Sequence, residues 1–164
     1  MNIVRAILLL IVLTSTAATQ ANDSRELHIL GWLEEVSLDG GSLKLEAKLD
    51  TGADTTSLHA TEAETFERDG AQWVRFQAGD GDGNVQEFEK PVARTVRIRS
   101  ATGRSERYVV KMDLCLGGIR ATTEVNLADR DGLSNPMLVG RSFMADTILV
   151  DSGREHLAST DNCD

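Results

Sequence analysis

The chain holds 164 residues, with 26 acidic against 17 basic side chains and a net charge of -9. That length suits one hydrophobic core, because single domains usually hold about 100–200 residues. The acidic balance argues against nucleic acid as a partner, since binding a phosphate backbone draws on clustered lysine and arginine.

At the start of the chain Arg5 precedes an unbroken apolar run from Ala6 to Leu13, and small and polar residues follow from Thr14 to Ala21. A positive lead, a short apolar stretch and a small-residue site make up a secretory signal peptide. Residues 1–21 are therefore read as a leader cleaved after Ala21, with the mature chain beginning near Asn22. The apolar run is shorter than the roughly 20 residues a membrane helix needs, so no stable span is expected once the leader is removed. Arg5 is the only charged side chain that cleavage removes, which leaves the body more acidic still. The expected location is the bacterial periplasm, or secretion beyond it.

Leu27 to Val36 is the first candidate strand. Leu43, Leu45, Ala47 and Leu49 then alternate with Lys44, Glu46 and Lys48, the period of two of a strand buried on one face. Thr61 to Arg68 is read as a helical turn or two, and Gln72 to Gln77, Val92 to Arg99 and Arg107 to Asp113 as strands. Gly117-Gly118 predicts a hairpin turn into the alternating run Ile119, Ala121, Thr123, Val125 and Leu127. Arg141 to Ala145 is a second helical candidate, and Thr147 to Asp151 the last strand. Together these predict a mainly β fold with one or two short helices, its sheets closed into a barrel that protects their edges.

Export permits a disulfide between Cys115 and Cys163 that the cytosol would reduce, but spacing alone leaves that pairing and two free thiols equally open. Cys163 stands one residue from the end of the chain, where fraying is expected. Asp80, Asp82 and Asn84 match the first ligands of a calcium loop, yet Val85 replaces the turn glycine and Pro91 the terminal glutamate, so a solvated loop is expected. His59 has no metal partner at a recognisable spacing, and packing or a bond to the backbone is expected of it.

Asp50-Thr51-Gly52 follows the alternating strand directly and runs into Ala53-Asp54-Thr55-Thr56-Ser57-Leu58. Asp and Gly are common in turns, so the triplet alone indicates only a carboxylate on a tight, glycine-permitted turn. Downstream, Met137-Leu138-Val139-Gly140-Arg141-Ser142-Phe143-Met144 places Gly-Arg between two apolar stretches. The two segments together resemble the signature of retropepsin-like aspartic proteases. More narrowly, Gly31-Trp32, Val36-Ser37-Leu38, Lys48 to Ala53 and Leu138 to Arg141 resemble a bacterial retropepsin-like family that carries the label ATP-dependent zinc protease. The sequence has no glycine-rich loop followed by Lys-Ser or Lys-Thr to cradle phosphates, and no His-Glu-x-x-His pair to hold zinc. No ATP, metal or other cofactor is therefore expected.

The resemblance implies a retropepsin-like closed β-barrel with a flap hairpin over residues 22–156 and a C-terminal tail over 157–164. It implies that Asp50 activates the nucleophile, that Thr51 locks two catalytic loops together through its hydroxyl and that Gly52 permits the turn. It further implies a substrate site supported by Ala53, by Gly140 and by an Asp54–Arg141 ion pair. The flap tip is placed at Ser100-Ala101-Thr102-Gly103, with Gly79 to Asn84 as the other candidate.

An aspartic protease needs two carboxylates sharing one proton, so a single motif implies a homodimer. Val150-Asp151-Ser152-Gly153 resembles a second such loop, but the chain from Arg154 to Asp164 is too short to build a second lobe, and Asp151 is read as the end of the last core strand. The expected function is an exported aspartic-type endopeptidase acting on a peptide or protein substrate. The alternative is a non-catalytic peptide- or partner-binding module on the same fold. Arg94, Arg97, Arg99, Arg104 and Arg107 fall within fourteen positions and are opposed only by Glu106, which points to acidic peptides if they face the cleft and to a solvated strand face if they do not.

Overall fold

A computed structural model describes residues 26–100, 103–159 and 163, and of residues 98–100 and 103–105 the backbone alone. The expected leader, residues 1–21, lies outside the described residues, as do Ala101 and Thr102 of the expected flap tip. The chain runs through β1 (His28–Gly31), β2 (Leu33–Leu38), β3 (Leu43–Leu49), β4 (Thr56–His59), β5 (Thr61–Arg68) and β6 (Ala71–Gly79). It continues through β7 (Val85–Ser100), β8 (Gly103–Leu116), β9 (Ile119–Ala128), β10 (Met137–Val139), α1 (Arg141–Met144) and β11 (Ile148–Asp151).

The alternation in β3 does what its period requires: Leu43, Leu45, Ala47 and Leu49 are buried while Glu46 and Lys48 are exposed. β3 pairs antiparallel with β2 and parallel with β10, and the order β2-β3-β10-β4-β9-β8 returns to β2 through a β2–β8 pairing. Six strands thus close into the expected barrel. Val36, Leu58, Met112, Val125 and Met137 fill it with almost no exposed surface, and each such side chain contributes roughly 1.5–3 kcal/mol on leaving water. β7, β6 and β5 extend the sheet outward from β8. The Gly117-Gly118 turn forms as expected, with φ of 59° and 83° and Leu116 opposite Ile119, the paired positive φ values of a two-residue hairpin.

Two expectations change. Leu27 to Val36 does not make one strand: it breaks at Trp32 because its halves serve different sheets, β1 pairing parallel with β11 and β2 joining the barrel. Thr61 to Arg68 is a strand, not a helix. Its Thr65 and Phe66 lie opposite Val74 and Trp73, and the Arg68 guanidinium sits 4.5 Å from the Trp73 ring centre, so cross-strand pairing outweighs local helical preference.

The end of the chain is tied down where fraying was expected. Glu34, fully buried in β2, accepts hydrogen bonds from the backbone N–H groups of Gly31 (2.5 Å), Leu157 (2.9 Å) and Ala158 (3.1 Å). Cys163 is buried and bonded to Cys115 in β8, which decides between the disulfide and the two free thiols.

Candidate active site

β3 ends at Leu49, and the next N–H, that of Asp50, donates to the Val139 carbonyl at 3.0 Å. The last strand pairing of β3 with β10 therefore fixes where the Asp50 carboxylate emerges. Asp50 Oδ1 accepts from the Gly52 N–H at 2.9 Å and its carbonyl accepts from Ala53 N–H at 3.2 Å, which closes a tight turn. Gly52 does not hold a positive φ, contrary to the reason given by the sequence for a glycine there. The reason is close approach: a Cβ on Gly52 would stand 3.1 Å from Asp50 Oδ1.

The Gly140-Arg141 segment grips this loop from behind. Arg141 N–H donates to the Ala53 carbonyl at 2.9 Å and Ser142 N–H to that of Asp54 at 3.0 Å. The Arg141 guanidinium pairs with the Asp54 carboxylate, as expected, and also donates to the Thr51 carbonyl at 3.3 Å. The Gly140 N–H donates to Thr56 Oγ1 at 3.3 Å. A Cβ on Gly140 would meet the Thr55 carbonyl carbon at 2.5 Å and its oxygen at 2.6 Å, and backbone cannot yield as a side chain can. Gly140→Ala is accordingly expected to lower stability by about 1–3 kcal/mol, the usual cost of overpacking, and to cut activity further by displacing the turn; thermal melting beside an activity assay measures both.

Around the loop stand residues that the sequence did not single out. Asn126 of β9 donates from Nδ2 to the Thr56 carbonyl at 2.6 Å, and its Oδ1 accepts from Arg107 Nη1 at 3.3 Å. Arg130 donates from Nη1 to Ser57 Oγ at 3.0 Å and from Nε to the Asn135 carbonyl at 3.1 Å. Burial, and then the nearby Arg107, pull the Arg130 pKa down, while Asp50 acts in the opposite direction. A run of polar Thr55-Thr56-Ser57 entering a buried strand was the available signal, since a polar run there needs partners.

The expected flap is a long hairpin of β7 and β8, with Ser100 opposite Gly103 and a register shift between Val92 and Arg94. Of its arginines, Arg94 bonds Glu124 at 2.7 and 2.9 Å and Arg97 lies 3.6 Å from Glu106, so the positive field is partly neutralised. The other flap candidate, between β6 and β7, spends its Asp80 carboxylate on the N–H groups of Asp82 (2.8 Å) and Asn84 (3.1 Å) and on the Asn84 side chain. These bonds, led by that of the Asn84 side chain, hold the Asp80 pKa below its ordinary value.

His59 makes the expected bond to the backbone, accepting at Nδ1 from Arg130 N–H at 2.9 Å. The fold also gives it the neighbours that spacing did not reveal, since His59, Asp129 and Asp131 offer one ligand atom each within 4.8 Å of one another. Asp151 ends β11 as expected, its carboxylate bonded to Gly153 N–H and the Arg154 guanidinium. Among the described residues no second carboxylate is hydrogen-bonded to Asp50. The turn that carries Asp50 stands beside a cavity of about 340 Å³ lined by Ala53, Thr55, Arg107, Arg130 and Leu138 among others.

A model of the RimB-like family, described as retropepsin-like aspartic endopeptidase RimB, matches residues 29–161. A crystal structure of a Legionella pneumophila protein of unknown function superposes with a TM-score of 0.70 at 32% identity, covering 80% of this chain and 98% of that one. Two curated relatives, from Parasynechococcus marenigrum and Desulfotalea psychrophila, are named probable alpha-L-glutamate ligase. The first is 36% identical over 133 residues, covering 78% of this chain and 28% of the relative, and the second 34% identical over 111 residues, covering 65% and 24%. The chain therefore spans about a quarter of the length of the curated relatives it matches.

Proposed function

The chain belongs to the RimB-like family of retropepsin-like aspartic endopeptidases, and from that premise we propose that it hydrolyses peptide bonds with a dyad made of Asp50 from two copies of the chain. The observation that carries this reading is the Asp50 turn itself, in which one carboxylate oxygen is oriented by the Gly52 N–H and the loop is clamped by Gly140 and Arg141. In such a dyad one carboxylate takes a proton from the attacking water while the other gives its proton to the scissile carbonyl oxygen. The tetrahedral intermediate then collapses, and a proton passes to the leaving amine. Thr51 is exposed at the turn and its hydroxyl would hold the two loops together. Ala53 and the flap hairpin, through Ala101, Thr102 and Gly103, would line the substrate.

The name of the curated relatives supports an acidic substrate. A protein named for ligating α-L-glutamate shares its matched segment with this chain, and the cavity beside the Asp50 turn carries Arg94, Arg107 and Arg130. The ligase name attaches to a longer protein, of which the matched segment is 28%. An exported protein, cleaved after Ala21, is the proposed location, and the Cys115–Cys163 bond suits an oxidising compartment.

The test is hydrolysis of acidic and neutral peptides by the mature protein over a range of protein concentrations, beside sedimentation to follow its oligomeric state. Activity per chain should rise as dimer forms. Full activity in a strictly monomeric preparation would overturn the two-chain dyad, and no cleavage of any peptide would overturn the peptidase reading.

A further inference from the structure

We propose that Arg107 and Arg130 together form a subsite for the side-chain carboxylate of an acidic residue in the bound peptide. This rests on the reading of the Asp50 turn as the reacting centre, and it assigns specificity to two residues outside that turn.

Three arginines line the cavity next to Ala53 and Thr55, and they are not equivalent. Arg94 is spent, because Glu124 takes two of its N–H donors at 2.9 and 2.7 Å. Arg107 and Arg130 hold only neutral acceptors, Asn126 Oδ1 for the first and Ser57 Oγ with the Asn135 carbonyl for the second. Among the described residues neither has a carboxylate within ion-pair distance. Both cations are half-buried in one cavity, where burial and then Arg107 hold the Arg130 pKa below its ordinary value while the Asp50 carboxylate acts in the opposite direction.

The geometry also prepares them to receive one. Ser57 and Asn135 fix the plane of the Arg130 guanidinium while using two of its five N–H donors, so the remaining donors are oriented before a ligand arrives. Guanidinium forks match a carboxylate in a way that a point charge does not. The two residues come from different elements, Arg107 from the β8 arm of the hairpin and Arg130 from the loop after β9, and both line the cavity. A carboxylate seated in that cavity would draw on both guanidinium groups. The cavity, about 340 Å³, is within the range of roughly 300–1,000 Å³ typical of ligand sites.

The probes are tetraglutamate and tetraglutamine, titrated calorimetrically against the Asp50→Asn protein so that binding is read without turnover. Adding Arg107→Gln or Arg130→Gln should weaken tetraglutamate binding about tenfold or more, as expected for loss of a charge-assisted pair, and leave tetraglutamine unaffected. Lys48→Gln, which removes a charge from the exposed face of β3, should leave both unchanged. Arg130→Lys keeps the charge without the fork and should restore tetraglutamate binding only in part, while Arg107→Gln tests the site without touching the Ser57 and Asn135 bonds. Absent tetraglutamate binding, equal weakening for both peptides, or no weakening in either arginine variant would overturn the subsite. Wild-type cleavage that is indifferent to the arginines overturns the subsite and leaves the peptidase standing. Selective glutamate binding without any cleavage does the reverse.

Discussion

Asp50→Asn should abolish peptide hydrolysis, by about 10⁴-fold or to background, while leaving the fold and the proposed dimer intact. The size of the effect follows from the chemistry: an amide neither accepts the proton of water nor donates one to the carbonyl oxygen, and each positioned acid or base supplies about 10²–10⁴-fold. Because the proposed dyad draws the same residue from both chains, one substitution removes both functions at once. The survival of the fold follows from the structure. Asparagine keeps the Oδ1 carbonyl that accepts from Gly52 N–H at 2.9 Å, and the Asp50 N–H bond to Val139 involves only backbone. Circular dichroism and sedimentation should therefore match the wild type. Wild-type turnover by this variant would place the chemistry elsewhere.

The parts of this molecule legible in its sequence are those encoded by neighbours along the chain. The alternation from Leu43 to Leu49 gave the strand that carries Asp50, and the turn after it was marked by Asp-Thr-Gly. The Gly-Arg segment was recognisable from its resemblance, and its Asp54 pairing formed as that resemblance implied. What escaped depends on long-range pairing. Arg130 and Asn126 reach the site because β4 runs parallel to β9, joining residues 73 and 70 positions apart, and nothing local to Asp129-Arg130-Asp131-Gly132 distinguishes it from an ordinary turn. Thr61 to Arg68 misleads for the same reason, since its partners in β6 settle its conformation. The arginine-rich stretch was legible as charge, but which guanidinium stays unneutralised depends on where Glu124 lies in β9.

Removing the Cys115–Cys163 bond should lower stability by about 4 kcal/mol, because cross-linking residues 48 positions apart withdraws that much loop entropy from the unfolded chain. For a chain of this size that corresponds to a fall of roughly 8–16 °C in melting temperature. The bond ties the end of the chain to β8, the strand that pairs with β2 to close the barrel as well as with β7 and β9. Loosening that end therefore loosens the closure. Glu34 still holds Leu157 and Ala158 when the bond is gone, so the barrel should remain folded at low temperature. The Asp50 turn depends on Val139, Gly140 and Arg141, not on the tail, and activity well below the melting point should persist. Cys115→Ser, Cys163→Ser and the double variant should melt alike, since each removes the same cross-link, and a reducing agent should bring the wild type to the same temperature. A melting temperature indifferent to reduction would mean that the bond contributes nothing to stability. A large shift would give the protein a measurable advantage in an oxidising compartment over the cytosol, which a comparison of its half-life with and without residues 1–21 would register.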